Sequence, residues 1–501
     1  MQYLLAASVA ILLASGCIRL GPDFQRPDIG IDVPKSYQHA MAGVGTAQPD
    51  GAWWHVFNDP DLNQLVEAVL QHNLDIKKGT ARILELRSQF VQARADRFPA
   101  VDVEGQGRRQ QQPIIGIVPG ERFRSKTNLN TLSLAASFEV DLWGRLARAE
   151  EAARADLLEA IENRRTVAQT VVGEAISLYL QMESLERRIQ NAQKSIEDYR
   201  RSLAVVAFRY ERGLAPILDV RNARRVMAQA EASLPPLRQD LGTAQHQLAV
   251  LLGHYPATSP PRPQPDDYFK RLAPVPTGLP SELLLRRPDI RAAEASLRAL
   301  NARIGVAKAS RFPRVSLTGS FGYSSDELDR LITPQGELWN LAAGIVQPLF
   351  DAGRLKGGQR AAEARYQQDV AAYAKTVLIA FSEVESALLT RKEQLGRRDQ
   401  MLHVLKEARA AQNVAEDRYK RGLIDYLNVL EAQQVRYQAE DNLILTDLAV
   451  LANRVTLHRA LGGGWDESSG QAVQNEKGKV QVTWQCLPAK RGPKDSGGPP
   501  E

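Results

Sequence analysis

Side chains able to do chemistry are scattered along this chain and not gathered. Seven histidines, His39, His55, His72, His246, His254, His403 and His458, could ligate a metal or carry protons, yet no two stand at the i, i+4 interval of a helical metal site. No glycine-rich phosphate loop and no elbow-type serine occurs. The carboxylates Glu383 and Glu385 could serve acid–base chemistry but read as exposed charge on a helix. No catalytic residue, no cofactor and no metal site is therefore expected, and the chain is not read as an enzyme. Two cysteines exist, Cys17 and Cys486.

Cys17 closes the stretch "MQYLLAASVAILLASGC", which has no charged side chain and is apolar up to Ala14, Ser15 and Gly16. This is the form of an export signal. It resembles a bacterial lipoprotein signal, which implies lipidation of Cys17 as the first residue of the mature chain; the other reading is an ordinary cleaved signal with an incidental cysteine. Ile18 after the cysteine favours an outer-membrane destination. With lipid on Cys17, Cys486 has no partner, so an exported chain folds here without a disulfide framework.

The bulk numbers exclude little else. Composition is that of a globular protein, with 44% hydrophobic and 24% charged residues. The net charge of +6 comes from 64 basic and 58 acidic residues interleaved along helical patterns, with no basic stripe carrying aromatics, so no nucleic-acid partner is expected. No later stretch approaches the roughly 20 continuous apolar residues of a membrane helix. Any crossing after the signal must be made by strands.

The elements that position these residues occur twice. "RYERGLAPILDV" from Arg209 returns as "RYKRGLIDYLNV" from Arg418, and "ARADRFPAVDVEG" from Ala93 as "AKASRFPRVSLTG" from Ala307. The offset is 214 for the early pair (313 − 99) and 209 for the tip glycines (422 − 213), so the chain is a duplicated unit whose copies differ by five residues in one connection. In each copy an amphipathic helix, from about Asp61 to Phe98 in the first, leads to segments of alternating polarity. Leu132, Leu134, Ala136 and Phe138 oppose Thr131, Ser133, Ala135 and Ser137; Val315, Leu317, Phe321 and Tyr323 oppose Ser316, Thr318, Ser320 and Ser324. These predict two hairpins, about 101–141 and about 314–349, with strands of about ten residues and long polar loops, as in a membrane barrel. Four strands cannot close a barrel, so copies must combine. Three chains giving twelve strands is the simplest arrangement, and the arithmetic also admits two or four.

After each hairpin a Gly-Arg pair opens a long proline-free run, Arg145–Arg212 and Arg354–Arg421. At about 1.5 Å per residue each run reaches roughly 100 Å. The first carries an apolar stripe at intervals of four and three from Val171 to Tyr210, the coiled-coil period. The second is less regular, interrupted by Arg391 and Arg398, as for helices in a ring with different neighbours on two sides. Gly213 and Gly422 end these runs as the tips of helical hairpins.

Six stretches in order, "CIRLGPDFQRP" at Cys17, "WWHVFNDPDL" at Trp53, "FEVDLWGR" at Phe138, "LPSELLLRRPDIRAAE" at Leu279, "PLFDAGR" at Pro348 and "RALGGGW" at Arg459, resemble the hallmarks of the TolC-like outer-membrane efflux factors, lipoprotein branch. The resemblance implies a mainly α fold with a membrane β-barrel: a homotrimer whose twelve-stranded barrel continues as a periplasmic α-helical barrel, docked to a periplasmic adaptor and an inner-membrane RND-type pump. It implies adaptor binding at Arg212, Gly213, Leu214, Arg421, Gly422 and Leu423. It also implies a pore constriction at Asp219, Tyr419 and Glu431, with Asp425 placed at spacings of three from Asn428 and Glu431; Asp219 and Asp425 also suit plain capping roles. The expected organisation is 1–16 signal peptide, 17–60 lipidated extended segment, 61–253 first repeat, 254–278 Pro-rich linker, 279–465 second repeat and 466–501 a mobile tail. The function implied is passive export of small molecules. Polypeptide secretion or metal export by the same conduit, and a non-conducting envelope lipoprotein, are the alternatives.

Overall fold

The computed structural model describes residues 19–34, 36–39, 52–115, 122–256, 275 and 286–463. The signal, Cys17, most of the Pro-rich linker, the tail and Cys486 lie outside the described residues. Among the described residues eight α-helices and four strands follow in chain order: α1 (Pro60–His72), α2 (Leu74–Ala95), β1 (Ala100–Ile115), β2 (Arg122–Val140), α3 (Arg145–Glu211), α4 (Ile217–Ala232), α5 (Leu234–Leu251), α6 (Pro288–Ala309), β3 (Arg314–Ser325), β4 (Glu337–Val346), α7 (Arg354–Lys420) and α8 (Tyr426–Ala460).

The helix expected from Asp61 to Phe98 is two helices. Asn73, with ψ 133°, breaks it, and its Oδ1 caps α2 by accepting from the amides of Asp75 and Ile76 at 2.9 and 3.1 Å. Its Nδ2 donates to the Leu251 carbonyl at 2.9 Å, so the break also fastens α5. The amphipathic pattern runs through the break because Asn73, itself buried, keeps the spacing of four and three between the buried Val69 and Ile76.

The four strands make one antiparallel sheet in the order β1-β2-β3-β4. Its register places Val103, Leu134, Phe321 and Trp339 on one rung and Leu132, Tyr323 and Glu337 on the next, so the apolar residues of all four strands share a face. Thr131, Ser133, Ser316, Thr318 and Ser320 share the other face. On the apolar face Val103, Leu134, Trp339 and Leu341 are exposed, with none of the described residues packed over them. Among the described residues β1 and β4 have one open edge each.

The first hairpin is longer than its pattern showed. Pairing continues to Ile115↔Arg122, making β1 16 and β2 19 residues long, where a long loop was expected. From Asn130 to Arg124 both faces of this ribbon are mainly polar, with Leu129 isolated among Arg, Lys, Gln, Asn, Ser and Thr, so alternation gives no signal even though the ladder goes on.

At each return from sheet to helix an aspartate and a left-handed glycine make the corner. Asp141 accepts from the Ala147 amide at 2.8 Å ahead of Gly144 at φ 73°, and Asp351 accepts from the Gly353 and Leu355 amides ahead of Gly353 at φ 84°. Arg145 adds a two-pronged pair with Glu139 at 2.8–3.0 Å. The helices α3 and α7, 67 residues each, then run without interruption. The expected stripe of α3 is buried or half-buried from Val171 to Val206, while Tyr210 is exposed.

The described N-terminal residues, 19–34 and 36–39, have no regular structure and bind both halves. Leu20 donates to the Trp143 carbonyl at 3.0 Å, Arg26 pairs with Glu294 at 2.6 Å, and Tyr37 is buried against α6 and α7. Glu385 accepts from the Gln38 amide at 2.8 Å and lies 3.1 Å from the His39 ring, and Glu383 accepts from Arg287 at 2.6 Å. The pair read as free exposed charge is thus tied into this packing; the partners are distant in sequence and invisible to local spacing. Trp53 stacks on His458 at 4.9 Å, and burial beside Arg454 and Arg391 lowers that imidazole to about 3, which keeps it neutral.

Candidate functional site at the helical tips

The two tips use one backbone device. Helix α3 ends with Gly213 at φ 70°, whose amide donates to the Tyr210 carbonyl at 2.9 Å while the Leu214 amide donates to Arg209 at 2.8 Å. Helix α7 repeats it, with Gly422 at φ 73° donating to Tyr419 at 2.9 Å and Leu423 to Arg418 at 2.9 Å. These crossed bonds satisfy the last carbonyls of each helix and need a left-handed residue at the glycine. The leucine after each glycine, which commonly packs back on its helix, is 68% exposed in both tips. Arg212 lies over the Phe208 ring at 4.8 Å, and Arg421 pairs with Asp417 at 2.9 Å.

Behind the tips the halves lock together. The Arg209 guanidinium lies 4.6 Å over the Tyr419 ring and donates to the Tyr419 carbonyl at 3.3 Å. The rings of Tyr419 and Tyr426 are 5.3 Å apart, and Tyr426 shares a 2.7 Å hydrogen bond with the Ser202 hydroxyl. Val206, Val220, Val429 and Leu430 fill the core beneath. Burial pushes the Tyr426 phenol up to about 12 and raises Tyr419, so both stay protonated donors at physiological pH.

Asp219 sits half-buried in the first turn of α4. Burial first, and then the charge of Asp425, raise its carboxyl above the usual aspartate range. Asp425 occupies the cap position of α8 with an exposed side chain that makes no capping hydrogen bond. The Asp425 charge therefore lies near enough to act on Asp219 and disfavours its ionisation. The geometry brings Asp219, Asp425 and Tyr419 together; Glu431 is exposed about 9 Å further along α8, at about 1.5 Å per residue, without a contact to them among the described residues.

Sequence reasoning missed Arg209 and Ser202. Arg209 was legible in principle, since it opens the motif that repeats at Arg418. Ser202 was not, because its partner lies 224 residues away. No group of three or more metal-ligating side chains is clustered among the described residues, and none of their helices is long and apolar enough to cross a membrane.

The profile of the family described as "Outer membrane efflux protein" matches residues 65–254 and 279–463, once in each repeat. The chain belongs to this family. The pyoverdine export outer membrane protein OpmQ of Pseudomonas putida is 32% identical over 449 residues, spanning 88% of this chain and 94% of OpmQ. The cation efflux system protein CusC of Escherichia coli is 30% identical over 467 residues, spanning 93% and 99%. The solved outer-membrane channel OprN superposes with a TM-score of 0.82 at 31% identity, over 89% of this chain and 99% of OprN. This family member is an outer-membrane efflux channel that extends into the periplasm. Its fold is one protomer's share of a trimeric β-barrel continued by an α-helical barrel, and the relatives are efflux channels rather than enzymes.

Proposed function

We propose that this protein is the passive outer conduit of a tripartite pump, exporting small amphipathic molecules, with three chains closing twelve strands. The observation that carries this reading is the sheet itself. Among the described residues one face is apolar and uncovered, the other is polar, and both edges are open, which suits a strand set that closes only with copies of itself and encloses water. Relatives named for export of pyoverdine, solvents and cations share the fold, so a conduit without a selective pocket accounts for the range of cargo. Metal or polypeptide cargo would need no change to it.

In this reading Asp219, Tyr419, Asp425 and Glu431 narrow the periplasmic end of the pore, and Cys17 carries lipid. The tips at Arg212–Leu214 and Arg421–Leu423 receive a periplasmic adaptor, behind which stands an RND-type pump. The exposed Leu214 and Leu423 support the docking role, being apolar side chains presented to solvent by rigid turns. The adaptor opens the pore only by binding the splayed tips more tightly than the closed ones. The domain bounds given above belong to the same proposal.

The test is single-channel conductance of the reconstituted protein, with native mass spectrometry of the same preparation. A trimer whose conductance rises several-fold on replacing Asp219 and Glu431 by alanine is expected. An unchanged conductance removes the constriction assignment, and a stable monomer in detergent removes the conduit.

A further inference from the structure

The outer end of the first hairpin carries charge that conduction does not use. Pairing of β2 with β3 ends at Asn130↔Ser325, while β1 and β2 continue to Ile115↔Arg122, so a two-stranded ribbon stands beyond the rest of the sheet. This end lies opposite the helices and is the outer one in an outer-membrane channel. The register of β1 with β2 is unbroken, so Arg109, Arg124 and Lys126 lie on the face that carries Val103, Leu132 and Leu134 lower down. Arg109, Arg124 and Lys126 are exposed, and among the described residues none pairs with a carboxylate.

The height of this patch is readable from the same face. Tyr323, opposite Leu132, and Trp339, opposite Phe321, form an aromatic border of the kind found at barrel interfaces, and Glu337 stands on the Tyr323 rung. Above Leu132 the rungs of Arg109, Lys126 and Arg124 follow at four, six and eight residues. For strands rising about 3.3 Å per residue and tilted about 40°, these stand roughly 10, 15 and 20 Å beyond the hydrocarbon border. The headgroup layer of an ordinary bilayer is only about 5–8 Å deep on each side. A ladder of cations this tall matches a lipid whose anionic groups continue upward from the membrane.

We propose that Arg109, Lys126 and Arg124 bind the phosphate groups of a phosphorylated glycolipid in the outer leaflet, fixing a ring of lipid around the channel mouth. Arginine forks and lysine ammonium groups on one face meet stacked phosphates, and each cation acts outside the pore. Arg109 also borders a cleft with Asp326, Glu327 and Asp329, of which Glu327 pairs with Arg330 at 3.1 Å. Arg124 and Lys126, away from that cleft, therefore contribute most.

The experiment titrates the full-length trimer in detergent with purified lipopolysaccharide, with lipid A carrying its phosphates, and with the same lipid A dephosphorylated. Dephosphorylation is expected to weaken binding at least tenfold, as is the combined variant R109Q/R124Q/K126Q, and raising salt from about 0.05 to 0.5 M should weaken the native interaction markedly. The charge-keeping R109K/R124K variant should stay within about threefold of native. Equal binding of the triple variant overturns the proposal, as does equal affinity for phosphatidylglycerol nanodiscs or for heparin, which would show a general anion surface. A protein that fails to trimerise sinks the conduit reading instead, so the two failures are distinguishable.

Discussion

Helices α3 and α7 have the same length, come from equivalent places in the two repeats and live in different surroundings. Twenty-four residues of α3 are buried within the protomer, against nine of α7. Along α7, Leu378, Ile379, Leu389, Leu402, Val404 and Val414 are each more than 40% exposed. Duplication supplied two copies of one helix; α3 became the spine of the protomer, and α7 kept an apolar surface that no described residue covers. A ring of three chains predicts that the neighbouring copy packs on that surface. The irregular seam of α7, interrupted at Arg391 and Arg398, belongs with a helix that serves two sides.

The most disruptive way to break this comparison is to charge the uncovered face. Replacing Leu378 and Leu389 by aspartate should leave each protomer folded but abolish the trimer, because each leucine buried at an interface contributes about 1.5–3 kcal/mol and recurs at three interfaces. Native mass spectrometry reads the outcome, and an intact trimer would show that α7 faces solvent.

The tips sharpen the same contrast. Arg209 reaches across to Tyr419 inside one protomer, while its counterpart Arg418 is exposed and its counterpart tyrosine, Tyr210, is 45% exposed. The repeat predicts that, in a ring of alternating hairpins, Arg418 meets Tyr210 of the partner subunit as Arg209 meets Tyr419. Arg209→Ala and Arg418→Ala should each raise single-channel conductance by a comparable, several-fold factor, since each removes one class of tip contact. A silent Arg418→Ala would mean that only contacts within the protomer hold the tips.

A smaller effect is expected from pH. In the proposed constriction burial and the charge of Asp425 raise the Asp219 carboxyl, so narrowing of the pore favours the protonated form. That contribution is complete below the ordinary aspartate value of about 3.9 and is lost as pH rises through the raised value. Conductance should therefore increase as pH climbs from about 4, and Asp219→Asn should flatten the profile and keep the pore narrower. A profile unchanged in the variant assigns the pH response elsewhere.

Smallest of all is the backbone test. Gly213→Ala and Gly422→Ala meet no neighbouring atom but force alanine into left-handed geometry, costing about 1 kcal/mol each. Thermal unfolding should show equal losses; unequal ones would mean that the matching turns carry different loads.

Much of this architecture was legible before any coordinates. The repeat, the alternation of the strands and the glycines ending each long helix are local patterns, and each fixed an element close to where it lies. What could not be read were partners distant in the chain: Asn73 bonding Leu251, Glu383 meeting Arg287, Arg209 over Tyr419. The ribbon beyond Thr131 escaped because polar residues on both faces erase the period that marks a strand. At the tips, Asp219 and Asp425 suited capping equally well on paper; that neither makes a capping hydrogen bond, and that the charge of one acts on the other, follow from tertiary packing.

The unbroken length of α3 and α7 makes each a lever arm. A tilt of about 5° where the helix leaves the sheet, near Gly144 or Gly353, moves a tip roughly 100 Å away by about 9 Å. Such a swing needs no intrahelical hydrogen bond to break. The mechanical advantage lies with whatever grips the long end, so a partner at the tips can work the channel with small forces while the barrel in the membrane scarcely moves.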